Sequence, residues 1–275
     1  MNIAQPSDFW CCEANPAELD RLLLEGILPK TGLLYPLAEI SLMALVVDRV
    51  KPTHILEWGT SIGRSAAIFH AITSALNMNT EIHTWDLPEG VSHGQHPGGD
   101  HGKLARGLPR VHFHRQDGLQ GALVKMSAER KKNPDCRFLF FVDGDHAYPS
   151  VIRELGGLIS AQDEFHVLAH DTFVQKPDGK GKSRESWLGC PTSLEAFAKD
   201  YRWLNVGFGS PGMAYLWGWG KRPGNARLRL RCLGILDRLE IRLEKLVYKN
   251  IRFLKRLCLS SDTRIDPKPN NQKVL

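Results

Sequence analysis

Thr53–Ser65 reads THILEWGTSIGRS. Behind the breaker Pro52, Ile55 and Leu56 form a short apolar run of strand type that ends at Glu57. Gly59, Ser61 and Gly63 follow, all small or flexible. From Ser65 the pattern turns helical through Ala66, Ala67, Ile68, Phe69, Ala71, Ile72 and Leu76. Strand, glycine turn and helix make the first half of a βαβ unit. The glycines let a ligand approach the backbone, and the first helical N–H groups face it with partial positive charge. The spacing excludes two familiar turns. A phosphate loop needs Lys-Ser/Thr after its second glycine, where this chain has Arg64-Ser65, and a dinucleotide fingerprint needs GxGxxG.

Before this stretch, residues 1–50 read as helical. Asn15-Pro16 is a cap followed by a helix-start proline, with Leu19, Leu22 and Leu23 at helical spacing, and Tyr35 to Val50 reads as a second helix. Both are expected to pack on a sheet. After it, Thr80–Asp86 reads as a second strand. Asp86 lies at its end, 23 residues beyond Gly63, where a carboxylate accepts hydrogen bonds from both ribose hydroxyls of an adenosine ligand. Residues 88–110 form a Gly-, Pro- and His-rich loop whose histidines (His93, His96, His101) lack zinc-site spacing. Val111–His114 is a third strand, with Asp117-Gly118 in the turn behind it.

Phe138–Val142 is five apolar residues long, a buried central strand, and it ends in Asp143-Gly144-Asp145-His146. A helix carrying Val151, Ile152, Leu155 and Leu158 follows. Phe165–Ala169 is a fifth strand ending in His170-Asp171-Thr172. Carboxylates and imidazoles at carboxyl ends of strands lie where doubly wound sheets bind ligands. Residues 173–190 read as a polar loop, Leu194–Tyr201 as a helix, and Trp203–Phe208 with Met213–Trp219 as a β-hairpin. The expected fold is α/β: a Rossmann-like doubly wound sheet with a C-terminal antiparallel hairpin, N-terminal helices and a C-terminal basic helix.

The form ExGxxxGxS over Glu57–Ser65 resembles motif I of class I S-adenosylmethionine (SAM)-dependent methyltransferases. DGDHAYPSVIREL followed by VLAHDTF resembles, more narrowly, the family with cephalosporin hydroxylase-like and macrocin-type O-methyltransferases. The resemblance covers roughly residues 35–220. It implies SAM held by Glu57, Gly59, Thr60, Ser61, Gly63 and Ser65 on its amino acid half. It also implies ribose at Asp86 and adenine at Asp117 and Gly118. The implied reaction is methyl transfer to a hydroxyl of a small molecule or glycan. His146 or His170 would accept the hydroxyl proton, since imidazole titrates near neutrality, beside Asp143. In several relatives acidic residues at these strand ends bind Mg²⁺, which places Asp143 and Asp171 as metal ligands. His170 departs from that pattern, because Mg²⁺ prefers oxygen ligands. Two other readings stand beside this one. One is a catalytically silent SAM-binding scaffold. The other is a hydroxylase-like relative acting on a nucleotide sugar or small metabolite, for which no complete iron motif is present.

Composition sets the remaining bounds. The 275 residues, 42% hydrophobic, suit one sizeable domain with appendages: a methyltransferase domain over 1–223, a basic amphipathic helix over 224–259 and a disordered tail over 260–275. The six cysteines show no CxxC pairing and fit a reducing cytoplasm. No signal peptide and no membrane span are expected. The net charge of +6 is unevenly placed: from Lys221 onward there are 15 basic and 5 acidic residues, leaving 21 basic and 25 acidic before it. Such a basic helix suits an anionic membrane surface or a homo-oligomeric contact. Nucleic acid is not expected, since no aromatic–basic module is present.

Overall fold

The computed structural model describes residues 16–32, 34–87, 100–172, 201–206 and 211–219. The N-terminal helical segment comprises α1 (Pro16–Arg21), a wide π turn (Leu22–Ile27) and α2 (Leu28–Thr31). Next comes α3 (Leu37–Val50). Its start falls two residues later than the sequence suggests. Pro36 sits extended at the N-cap with ψ 141°, because its ring and missing N–H suit a helix edge rather than a helix interior. Tyr35 is thereby released from the helix.

The sheet is built from β1 (His54–Trp58), β2 (Glu81–Asp86), β3 (Val111–Arg115), β4 (Phe138–Val142), β5 (Glu164–His170), β6 (Arg202–Val206) and β7 (Met213–Trp219). The helices α4 (Arg64–Ala75), α5 (Gly118–Lys132) and α6 (Tyr148–Ser160) connect them. The order is β3-β2-β1-β4-β5-β7-β6. The first five strands are parallel, and β7 runs antiparallel between β5 and β6. This is the expected doubly wound sheet with its closing antiparallel pair. Of the predicted helix at Leu194–Tyr201 only Tyr201 falls among the described residues, and the polar loop, the basic helix and the tail lie outside them.

β1 and β4 are the central pair, and every residue of both is buried. Their side chains alternate between faces as the pleat requires. Ile55, Leu139 and Phe141 join α3 and α4 in one core cluster through Ile40, Met43, Val47, Phe69 and Ile72. Phe138, Phe140 and Trp58 point the other way; Arg130 of α5 lies over the Phe138 ring at 5.3 Å. Strand order reverses between β1 and β4. A crevice opens at the carboxyl ends of the strands there, since the chain leaves β1 for β2 on one side and β4 for β5 on the other.

Candidate functional site

That crevice is a cavity of about 630 Å³, within the range of small-molecule sites. Its walls come from the β1–α4 turn, the ends of β2, β3, β4 and β5, the start of α6, and Tyr35.

The turn is tighter than ligand approach alone demands. Gly59 has φ +100°, and a Cβ there would lie 1.9 Å from the Asp143 carbonyl oxygen. It is glycine because β4's end presses on it. Gly63 (φ +84°) is the N-cap of α4. A Cβ there would meet Ala105 at 3.1 Å, and Gly63 does not line the cavity. Its requirement is packing against the segment 100–107. Ser61, at φ +46°, turns its N–H toward Asp86 Oδ2 at 3.2 Å. Thr60 lines the cavity, but its hydroxyl is turned to Thr84 at 2.6 Å.

Glu57 backs the cavity instead of lining it. It is fully buried, and Ser65, which does line the cavity, donates its hydroxyl to Glu57 Oε1. Oε2 has no hydrogen-bond partner among the described residues. Burial pushes the carboxyl up to about 8; the nearby Asp143 and Asp86 charges add to this and the Ser65 bond opposes it. A buried acid with an orphaned oxygen behind a glycine turn is suited to a cationic group of a ligand. Asp86 closes the end of β2. Its Oδ1 accepts from Leu87 N–H at 2.8 Å, and its Oδ2 lies 3.0 Å from His101 Nε2. His101 is buried; the sequence places it only among the histidines of a loop.

At the β3–α5 turn, Asp117 caps α5. Its Oδ1 accepts from Gln120 N–H at 2.8 Å, and its Oδ2 pairs with Arg153 of α6 at 2.9 Å. Both oxygens already serve the fold, although Asp117 and Gly118 line the cavity. Gly118 is required for a further reason: a Cβ there would lie 2.3 Å from Trp58 Cβ.

The far wall carries the remaining predicted residues, and the structure brings them together. Tyr35 donates its hydroxyl to Asp143 Oδ2 at 3.1 Å. His170 Nδ1 lies 3.2 Å from Asp143 Oδ1, and its Nε2 lies 3.1 Å from Glu39 Oε2. Glu39, from α3, also accepts from Gly212 N–H at 2.9 Å. The Tyr35 ring stacks on His170 at 4.7 Å. Burial alone would lower the His170 pKa. The Asp143 and Glu39 carboxylates outweigh it and hold the ring well above its ordinary value. Both His170 nitrogens face carboxylates, an arrangement that favours the protonated ring. That arrangement suits a fixed internal cation better than the expected base.

His146 differs. Its Nε2 lies 3.2 Å from Asp171 Oδ2. That contact favours the tautomer with the proton on Nε2, which makes Nδ1 the basic nitrogen. Asp171 sits at φ +55°, a region costly for most residues but tolerated by aspartate. The turn places its carboxylate between His146 and His170, the latter at 3.6 Å. Burial raises the Asp171 pKa, as does Asp143, against the two imidazoles. Asp143, His146 and Asp171 each offer one ligand atom, all within 4.8 Å of one another. The donor set is two carboxylates and one imidazole.

No family model matches the chain, and no curated protein matches it. Solved structures do. An O-methyltransferase from Bacillus cereus in complex with S-adenosylhomocysteine (SAH) is 15% identical, with 73% of this chain and 90% of that one covered and a TM-score of 0.45. An SAH-bound methyltransferase from Podospora anserina is 19% identical, covering 66% and 77% at a TM-score of 0.44. The O-methyltransferase TomG of tomaymycin synthesis from Streptomyces achromogenes, in complex with SAM, is 17% identical, covering 65% and 78% at a TM-score of 0.42. At such identity the likeness extends to chain fold alone.

Proposed function

We propose that this chain is a SAM-dependent methyltransferase acting on a hydroxyl of a small molecule or glycan. One observation carries the reading: a single cavity joins the glycine turn with its buried Glu57 and Asp86 to the His146–Asp171 pair. The first half suits an adenosyl amino acid. The second suits a hydroxyl that must lose its proton. SAM, when bound, supplies an electrophilic methyl on a sulfonium, which departs as a neutral thioether.

The chain's own residues do the rest. Ser65, which lines the cavity and is held from behind by Glu57, faces the ligand's amino acid half, and Asp86 takes the ribose hydroxyls. The Asp117–Gly118 turn bounds the base. His146 accepts the acceptor's proton at Nδ1, and Asp171 orients the ring and stabilises the imidazolium that forms. The oxygen gains the methyl as it loses the proton, so charge stays balanced. Most of the rate comes from holding oxygen and methyl in line. The Glu39–His170–Asp143 chain fixes the wall against which the acceptor lies, and Tyr35 is locked in it.

Mg²⁺ has no step in this mechanism. It takes oxygen ligands. Here an imidazole belongs to the donor set, and the His170 cation already stands beside Asp143 and Asp171. The charge split supports attachment of residues 224–259 to an anionic membrane surface. Liposome co-sedimentation of the full chain against a chain ending at Gly220 tests this, and equal sedimentation of both contradicts it. No helix among the described residues is long and apolar enough to cross a membrane.

The test of the reaction is incubation of the protein and labelled SAM with a cell extract. A labelled product whose methyl sits on oxygen supports the reading. Absence of any protein-dependent label, or a methyl on nitrogen or carbon, overturns it.

A further inference from the structure

One acid of the cavity has no part in the chemistry above. Glu154 lies on the second turn of α6 and lines the cavity. It is 5% exposed, and its Oε2 has no hydrogen-bond partner among the described residues. A buried carboxyl with one oxygen left without a partner is costly, and a helix packed on a sheet would hold an apolar residue there at less cost. Its neighbour Arg153 reaches across to Asp117 at 2.9 Å, so Glu154 stands at the end of the cavity bounded by the β3–α5 turn. Trp58 is pressed between two glycines at that end. A Cβ on Gly118 would lie 2.3 Å from its Cβ, and one on Gly144 would lie 3.0 Å from its ring. Neither glycine therefore sets a side chain against Trp58.

Resting on the SAM reading, we propose that Glu154 is the residue that reads the adenine edge. In its carboxylic acid form it donates its O–H to the ring nitrogen N1 and accepts from the 6-amino group. A carboxylic acid offers one donor and one acceptor side by side, which is the complement of that edge. A carboxylate offers two acceptors and meets N1 unfavourably. The acid form predominates below neutral pH. Burial pushes the carboxyl up to about 7; Asp145 and Asp117 add to this, while the Trp58 indole and the Arg153 guanidinium oppose it. Asp117, with both oxygens engaged by Gln120 and Arg153, positions that turn and leaves the base edge to Glu154.

The test is calorimetric binding of SAH and of its 1-deaza analogue, which lacks N1. Wild type, Glu154→Gln and Glu154→Leu are compared at pH 6 and pH 8.5. Glutamine keeps one donor and one acceptor, so Glu154→Gln is expected to bind SAH within about threefold of wild type at pH 6. Glu154→Leu is expected to lose about tenfold or more on SAH and less on the 1-deaza analogue. Wild type weakens on SAH between the two pH values relative to Glu154→Gln. This comparison cancels the titration of Glu57, which both proteins share. Equal losses on the two ligands in Glu154→Leu, or no loss on either, overturn the proposal. Wild type failing to bind SAH at all overturns the SAM reading itself, a different outcome from wild type binding SAH as tightly as Glu154→Leu does.

Discussion

Replacing Glu39 by glutamine removes one of the two carboxylates that hold His170 protonated. Both partners are buried, at 2% and 7% exposure, and Nε2 lies 3.1 Å from Oε2. The amide oxygen can still accept from Gly212 N–H, a bond of 2.9 Å in the wild type, so the perturbation is electrostatic. The amide NH₂ then faces the ring N–H, donor to donor. Breaking a buried pair by removing one partner costs about 3–5 kcal/mol. With a urea slope near 3 kcal/mol/M, the unfolding midpoint falls by about 1–1.7 M. The sign of the pH dependence follows from the raised folded pKa of His170. A group whose pKa is raised on folding contributes stability that is complete below its unfolded value of about 6.5 and is lost as pH rises through the folded value. The cost of Glu39→Gln is therefore full at pH 6 and shrinks as pH rises above about 6.5. Urea denaturation followed by tryptophan fluorescence at pH 6 measures it. A midpoint within about 0.3 M of wild type, or a cost that grows with pH, refutes the reasoning.

His146→Ala is expected to lower turnover by about 10²–10⁴-fold while SAH affinity, measured by calorimetry, stays within a few-fold; unchanged turnover places the base elsewhere. Gly59→Ala brings a Cβ to 1.9 Å from the Asp143 carbonyl at φ +100°. It is expected to cost about 2–6 kcal/mol, read as a fall in thermal unfolding temperature; a variant as stable as wild type contradicts the observed approach of β4 to the turn. Exhaustive chelation is expected to leave methyl transfer from labelled SAM intact. Activity lost on chelation and restored by Mg²⁺ alone contradicts the fixed-cation account of His170.

Much of the sheet was legible because its strands are short apolar runs with turn residues at both ends. FLFFV over Phe138–Val142 reads as a buried strand on its own, and so does HILEW before the glycine turn. The strand ends carried the chemistry for the same reason: Asp86, Asp143 and Asp171 follow directly on runs that must be β. The wall behind them was not legible. Tyr35 and Asp143 are 108 residues apart, and Glu39 and His170 are 131 apart. Local periodicity assigns Tyr35 to a helix and says nothing of its partner. His170 read as a base because sequence shows an imidazole and not the carboxylates on both its sides. Glu154 sits between Ile152 and Leu155 in a helical pattern where a polar residue reads as solvent-facing. Only the folded structure, with Trp58 beside it, shows it buried. Gly63 matched a ligand-turn motif while serving Ala105, since one conformational need can arise from either cause.

The central claim is that this cavity holds an adenosyl ligand with Asp86 on its ribose. The affinity of SAH for wild type and for Asp86→Ala, measured by calorimetry at neutral pH, tests it most directly. Hydrogen bonds to a charged group are worth about 1.5–3 kcal/mol, so the account predicts saturable one-site binding to wild type and a loss of about 10–150-fold in Asp86→Ala. No binding to wild type, or equal affinity for both proteins, contradicts it.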